Sequence, residues 1–153
     1  MLAFAVLLCL TSLLHASDLD SLLSVQRTRA GVRADMLFSA IDKATDAERD
    51  NVEFLLAYMP LADLAYMTGD DILENVRLAQ KARGEFSWGA QLTEELYQHF
   101  VLPHRVSQEP FVHWREQFYQ TLAPRVKNMS MIEAALEVNH WCHEVATYKP
   151  SDS

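Results

Sequence analysis

Apolar residues recur at helical spacing through most of this chain, and capping residues mark where several helices begin. Thr45 and Glu48 form a capping box ahead of an apolar run, and Ser130 and Glu133 form a second one ahead of a last helix that reaches about Ala146. No segment alternates apolar and polar residues as a half-buried strand does, and no Asn-Gly or Asp-Gly pair joins two β-branched segments. The sequence therefore predicts a mainly α fold, an irregular array of five or six helices.

Helix-breaking and capping residues also predict where the helices end or restart. Pro60 interrupts the first apolar run, Asp70 is the expected N-cap of the next helix, and Gly84 stands where the residue after that helix belongs. Ser107 is the expected cap of a later aromatic-rich segment, which Pro124 interrupts. The stretch from residue 18 to residue 43 is also expected to be helical. Because these boundaries are unevenly spaced, no solenoid repeat is predicted.

Composition limits the functions that such a fold can serve. The 153 residues are 50% hydrophobic and 22% charged, with 4 Gly and 5 Pro, a balance that fits one compact domain rather than disordered sequence. The net charge of -8 disfavours nucleic acid and anionic membrane surfaces as partners. No dinucleotide-binding, phosphate-loop, hydrolase or zinc-protease motif occurs, so no cofactor is predicted.

The first sixteen residues have the character of a targeting segment. Residues 1–16 are almost wholly apolar and carry no charged side chain, and Ala16 precedes the polar Ser17. The segment is too short to cross a bilayer as a helix, whereas an apolar stretch that ends in a small residue is typical of a secretory signal peptide. We expect export to the periplasm or outside the cell, with no integral membrane segment after removal. The alternative is a buried N-terminal helix.

The last predicted helix carries the densest cluster of reactive side chains. Cys142 and His143 are adjacent, so their side chains diverge by roughly 100° on a helix and cannot form a nucleophile–base pair. His140 is three residues from His143 and four from Glu144, so two metal ligands could share a face, but a metal site needs three or four ligands, and none of the other histidines has a partner at ligand spacing. The apolar stripe instead places Cys142 in the core and Glu144 on a solvated face. We therefore predict no catalytic, cofactor-binding or metal-binding residue.

Three further histidines and a group of aromatic residues remain as candidates. The histidines, which we expect at the surface or in helix caps, are His99, His104 and His113. The aromatic residues are Trp114, Phe118 and Tyr119. Their helical spacing favours packing in the core over the alternative, a groove that binds a ligand.

The C-terminal part of the sequence resembles transglutaminase-like proteins. The segment AALEVNHWCHEVATYKPSD, with Trp141, Val145 and Tyr148 at matching positions, is similar to the strip that leads into the catalytic core of that superfamily. The segment NVEFLLAYMPLADLAYMTGDDILENVRLAQKAR is similar to the helical region that precedes this core in exported bacterial members. The resemblance implies a helical lead-in to an α+β core, in which a Cys, a His and an Asp act as in papain.

None of those catalytic residues carries over onto this chain. The family nucleophile follows the Trp and Tyr positions after a loop, whereas Cys142 precedes Tyr148 and lies in mid-helix. Together with the signal peptide expected at 1–16, the resemblance implies a helical domain at 17–130 and the incomplete start of a transglutaminase-like core at 131–153.

The functional expectation is an N-terminal fragment whose parent transfers or hydrolyses acyl groups at amide bonds of a protein or peptide substrate. Its partner would be the missing C-terminal core, and alone the fragment would be inactive and marginally stable. The alternative is a complete secreted helical module that binds a partner protein. A metal protein built on His140, His143 and Glu144 is the third alternative.

Overall fold

The described part of the chain folds into a succession of helices. The computed structural model describes residues 18–105, 107 and 110–146, and these contain helices and turns but no strand. The helices are α1 (18–30), α2 (Ala34–Lys43), α3 (Asp46–Ala57), α4 (Leu61–Leu64), α5 (Gly69–Glu85), α6 (Glu94–Leu96), α7 (Trp114–Val126) and α8 (Met131–Val145). A π-helical turn, Tyr97–Val101, continues α6. The prediction of a mainly α fold is confirmed.

Capping boxes begin three of the long helices. The Thr45 backbone N–H donates to the Glu48 carboxylate over 2.8 Å at the start of α3, and Ser130 and Glu133 make the matching bond over 2.8 Å at α8. These two boxes were predicted. A third one begins α5, where the Thr68 N–H donates to the Asp71 carboxylate over 2.7 Å. Thr68 rather than Asp70 is therefore the N-cap of α5, which corrects the sequence prediction.

Three other predicted boundaries are also displaced. Helix α5 continues through Gly84 to Glu85, and its C-cap is Phe86. Helix α7 begins only at Trp114, well after Ser107, and it includes Pro124 in its last turn. A proline near the end of a helix forfeits one backbone hydrogen bond, which the packing of the rest of the helix offsets.

The main hydrophobic core is formed by helices α1 to α5. Its fully buried side chains come from several helices and include Leu37, Val52, Leu56, Ile72 and Val76. Tyr97 and Leu102, which follow α6, complete this core from one end. Burial of such side chains from water supplies most of the favourable free energy of folding.

Two glycines are needed in this part of the fold, one for its backbone conformation and one for close packing between helices. Gly31 adopts a φ of 56° between α1 and α2, a left-handed conformation that glycine takes without strain. Gly69 begins α5 directly against α2, where an added Cβ would lie 2.8 Å from the backbone nitrogen of Ala40. A larger residue at position 69 would therefore push these two helices apart.

A second, smaller hydrophobic cluster joins the end of α5 to α7 and α8. Its buried members are Phe86, Ala123, Val126 and Ala134. Only one residue of α8, Ala134, is buried. Among the helices described by the structure, none is both long and apolar enough to cross a membrane.

Candidate functional site

An open apolar groove runs between the C-terminal half of α5 and the two helices α7 and α8. Its volume is about 690 Å³, within the range of roughly 300–1,000 Å³ that is usual for binding sites. Leu78 and Ala82 line it from α5, Leu122 lines it from α7, and Val138 and Cys142 line it from α8. The surface of the groove is thus mostly hydrocarbon.

Aromatic rings form much of the remaining wall. Trp114 and Phe118, with ring centroids 5.6 Å apart, line the groove together with Tyr119, and 38% of the Phe118 surface is exposed. The sequence analysis favoured core packing for these three residues, and the structure places them on the groove wall instead. Trp88 lines the groove as well, stacked on Phe86 at a centroid distance of 5.0 Å.

Helix α8 leaves most of its apolar side chains uncovered. Met131, Ile132, Leu136 and Val145 are all exposed, Ile132 by 74% and Leu136 by 64%. Cys142 is also exposed, so its predicted place in the core is wrong. The physical reason is that α8 packs on α7 along one stripe, whereas its apolar residues cover a much wider arc.

The opposite face of α8 is charged, as the sequence predicted. Glu133, His140 and Glu144 are exposed, and Arg125 of α7 donates to Glu137 over 2.6 Å. His140 lies 3.4 Å from Glu144, one helical turn away. Within the described part of the chain, no three His, Cys, Asp or Glu side chains are grouped as ligands of a metal ion.

Arg115 is the one charged side chain among the residues described as lining the groove. Its Nε donates to the Asn75 side-chain oxygen over 2.9 Å, and its Nη2 donates to the backbone oxygens of Val101 and Pro103 over 2.8 and 2.9 Å. The guanidinium also lies over the Trp114 ring, 4.7 Å from its centroid. Burial lowers the pKa of Arg115 to about 10.

One of the three candidate histidines lies in a buried polar cluster. His104 is buried, and its Nε2 lies 2.9 Å from the Asp63 carboxylate, to which Arg105 also donates over 3.0 Å. The expected surface position of His104 is therefore wrong. Its backbone oxygen accepts a hydrogen bond of 2.7 Å from Trp114, which fixes one end of the groove wall.

The Asp63–His104 pair has the composition of the orienting half of a catalytic triad, but not its accessibility. A triad histidine needs its second ring nitrogen next to a nucleophile and open to substrate. The Nδ1 atom of His104 is buried and has no hydrogen-bond partner among the described residues. The pair therefore has the geometry of a structural tie between α4 and the segment before α7.

The other two histidines lie apart from this pair. His99 is exposed and edge-on to Phe54, at a centroid distance of 5.2 Å, and His113 is exposed and lies 3.2 Å from Glu74. Both agree with the surface positions expected from the sequence.

Some of the sequence predictions concern residues that the structure leaves out of its described range. The proposed signal peptide at 1–16 and Tyr148 of the transglutaminase-like strip lie outside it, whereas Trp141 and Val145 lie on α8. Trp141 packs edge-on against Phe118 at a centroid distance of 5.2 Å.

Sequence reasoning missed Arg115, although a signal was present. An arginine within the aromatic run WREQFY could have been read as a cation placed among rings.

Comparison with protein families, with curated proteins and with solved structures finds no match to this chain.

Proposed function

We propose that this protein is a helical docking module that binds an apolar segment of a partner protein along α7 and α8. The observation that carries the proposal is the groove of about 690 Å³ beside a helix with only one buried residue. Contiguous exposed apolar surface marks interaction sites, because leaving it in water forfeits about 25 cal/mol per Å².

The extent of the apolar surface favours a protein over a small molecule. Ile132 and Val145 are exposed on α8 next to its groove-lining stripe but do not themselves line the groove. A small ligand that filled the groove would leave both side chains in water. A protein segment that packed along α8 would cover them together with the groove, as an amphipathic helix does in a hydrophobic groove.

A selection experiment with matched variants tests this proposal. The full-length chain would be screened against displayed amphipathic peptides about as long as α8, which has 15 residues. We expect the selected peptides to bind the native protein and to lose binding to Ala135→Arg, since Ala135 is an exposed residue of the groove wall.

The control is Gln117→Arg, which adds the same charge at an exposed position of α7 that does not line the groove. Peptides that bind both variants equally well, or failure to select any peptide, would contradict the proposal.

A transglutaminase-like catalytic core is a second candidate for the partner. The resemblance places Trp141 and Val145 in the strip that leads into such a core, and both residues lie on α8 beside the exposed apolar face. In this case the module would support acyl transfer or amide hydrolysis by a Cys, a His and an Asp on that core.

The test of this candidate is the genomic DNA downstream of codon 153. An in-frame continuation that encodes a Cys, then a His and an Asp, would support it. A stop codon there would leave the docking module with a separate partner.

We also infer that the protein is exported, on the strength of the uncharged apolar residues 1–16. Mass spectrometry of the protein from its native cells would then find a mature N-terminus at Ser17. Recovery of a chain that retains residues 1–16 from the cytoplasm would contradict this inference.

A further inference from the structure

Arg115 has an unusual position for a cation. Its guanidinium lines an otherwise uncharged groove, and burial there lowers its pKa. Cations removed from water are normally paired with a carboxylate, because desolvation of an unpaired charge is costly. Among the described residues, no Asp or Glu forms an ion pair with Arg115.

The existing hydrogen bonds hold Arg115 in place without neutralising it. Nε and Nη2 donate to the Asn75 amide oxygen and to two backbone oxygens, all of which are neutral acceptors. Nη1 donates to no described residue. Trp114 covers one face of the guanidinium, so Nη1 is the donor that remains for an acceptor from a partner.

We propose that the partner segment that fills the groove carries a carboxylate, which accepts hydrogen bonds from Arg115. This inference deepens the proposed function and rests on it. The segment would be apolar along most of its length, to match the lining, and would place one Asp or Glu where it passes α7.

The net charge of the whole chain limits how acidic the partner segment can be. A net charge of -8 repels a strongly acidic segment at long range. The acidic residue of the partner must therefore be isolated, within a segment that is otherwise neutral or basic. Such a combination gives specificity, because a segment without the carboxylate leaves the cation of the groove unpaired.

The experiment uses the peptides selected by display on the full-length chain. We expect an Asp or Glu at one fixed position among apolar residues spaced three and four apart. For a synthetic peptide of that sequence, Glu→Gln at the fixed position should weaken binding about tenfold or more, as expected for loss of a charge-assisted hydrogen bond. The same change at a solvent-facing Glu of the peptide is the control.

Variants of the protein at Arg115 provide the reciprocal test. Arg115→Met should abolish the difference between the Glu and Gln peptides, whereas Arg115→Lys should retain part of it because the charge remains. Circular dichroism would establish that each variant is folded. Should Arg115→Met fail to fold, the peptide pair alone still tests the proposal, since it leaves the protein unchanged.

The outcomes separate this inference from the proposed function. Selected peptides that bind in the groove without an acidic residue, or whose Gln version binds equally well, would overturn the inference and leave the docking function standing. Failure to select any groove-binding peptide would overturn both. Binding of laurate but not of dodecanol, with no peptide bound, would identify a lipid carboxylate as the ligand and would also overturn the proposal of a protein partner.

Discussion

The main core, formed by helices α1 to α5, differs from the region of α7 and α8 in how far its apolar side chains are buried. In the first region, residues such as Leu37, Leu56 and Ile72 are completely buried. In the second, α8 has apolar residues around much of its circumference and buries only Ala134. Helical spacing of apolar residues therefore indicates which side of a helix is apolar. It does not indicate which other element, if any, buries that side.

The polar interactions of the two regions also differ in how deeply they are buried. Asp63, His104 and Arg105 are tied together below the surface of the first region, each with no more than 11% of its side chain exposed. Arg125 and Glu137 form the corresponding pair in the second region, with 34% and 24% exposed. The three residues of the Asp63 cluster are buried, whereas the Arg125–Glu137 pair borders solvent.

The largest expected effect on stability follows from removing the buried charge of Asp63, which contacts both His104 and Arg105. Asp63→Asn should lower the free energy of unfolding by about 3–5 kcal/mol, because two groups lose their charged partner below the surface. Glu137→Gln is the matched change in the second region, and it should have a much smaller effect. Urea unfolding followed by circular dichroism measures both, and equal losses would contradict the distinction between the regions.

Truncation of a leucine should separate the regions in a similar way. Leu56→Ala should cost about 2–5 kcal/mol, since the side chain is fully buried and its removal leaves a cavity. Leu136→Ala should change the free energy of unfolding by no more than about 0.5 kcal/mol, since 64% of the residue is exposed. A comparable loss in both variants would show that α8 is covered.

A smaller effect is expected from acid titration of the two glutamates in capping boxes. The Arg77 side chain, then the Thr45 backbone, donates to Glu48 and lowers the pKa of its carboxyl from 4.5 to about 2. Because the pKa is lower in the folded state, this stabilisation is present above pH 4.5 and is lost as the pH falls towards 2.

Glu48→Gln should therefore flatten the pH dependence of stability in that window. The pKa of Glu133 is also lowered, by the Ser130 hydroxyl and backbone, but Glu133 is exposed and forms no ion pair with an arginine among the described residues. Glu133→Gln should therefore change the profile less. A larger change from Glu133→Gln would contradict the comparison.

The smallest effect is expected from removal of the caps. Thr68→Ala should cost about 1 kcal/mol of global stability, since α5 spans the main core. Ser130→Ala should instead increase hydrogen exchange in α8 alone, because a helix with little buried surface opens locally before the protein unfolds. Equal protection of the α5 and α8 amides would be contrary to this expectation.

The sequence predicted two of the three capping boxes of the structure. The boxes at Thr45 and Ser130 depend on residues three apart, and the structure has both. The sequence prediction takes Asp70 rather than Thr68 as the N-cap of α5, although Asp71, the partner of Thr68, also lies three residues on. Aspartate in place of glutamate at that position concealed the motif.

The site could not be predicted because it depends on which helices meet. The spacing of Trp114 and Phe118 gives the same pattern whether a partner helix covers them or not. The burial of His104 depends on Asp63, 41 residues earlier, and the surroundings of Arg115 depend on Asn75, 40 residues earlier. Such contacts follow from the tertiary arrangement and leave no mark on local periodicity.

The most direct test of an uncovered groove is the alkylation rate of Cys142 in the full-length chain with Cys9→Ser. The reference is an Asp50→Cys thiol on the exposed face of α3, in a chain with Cys9→Ser and Cys142→Ser. Since Cys142 lies on the open groove wall, we predict rates within about threefold of each other. A Cys142 rate about tenfold or more below the reference would show that the groove is already filled, and it would contradict the account.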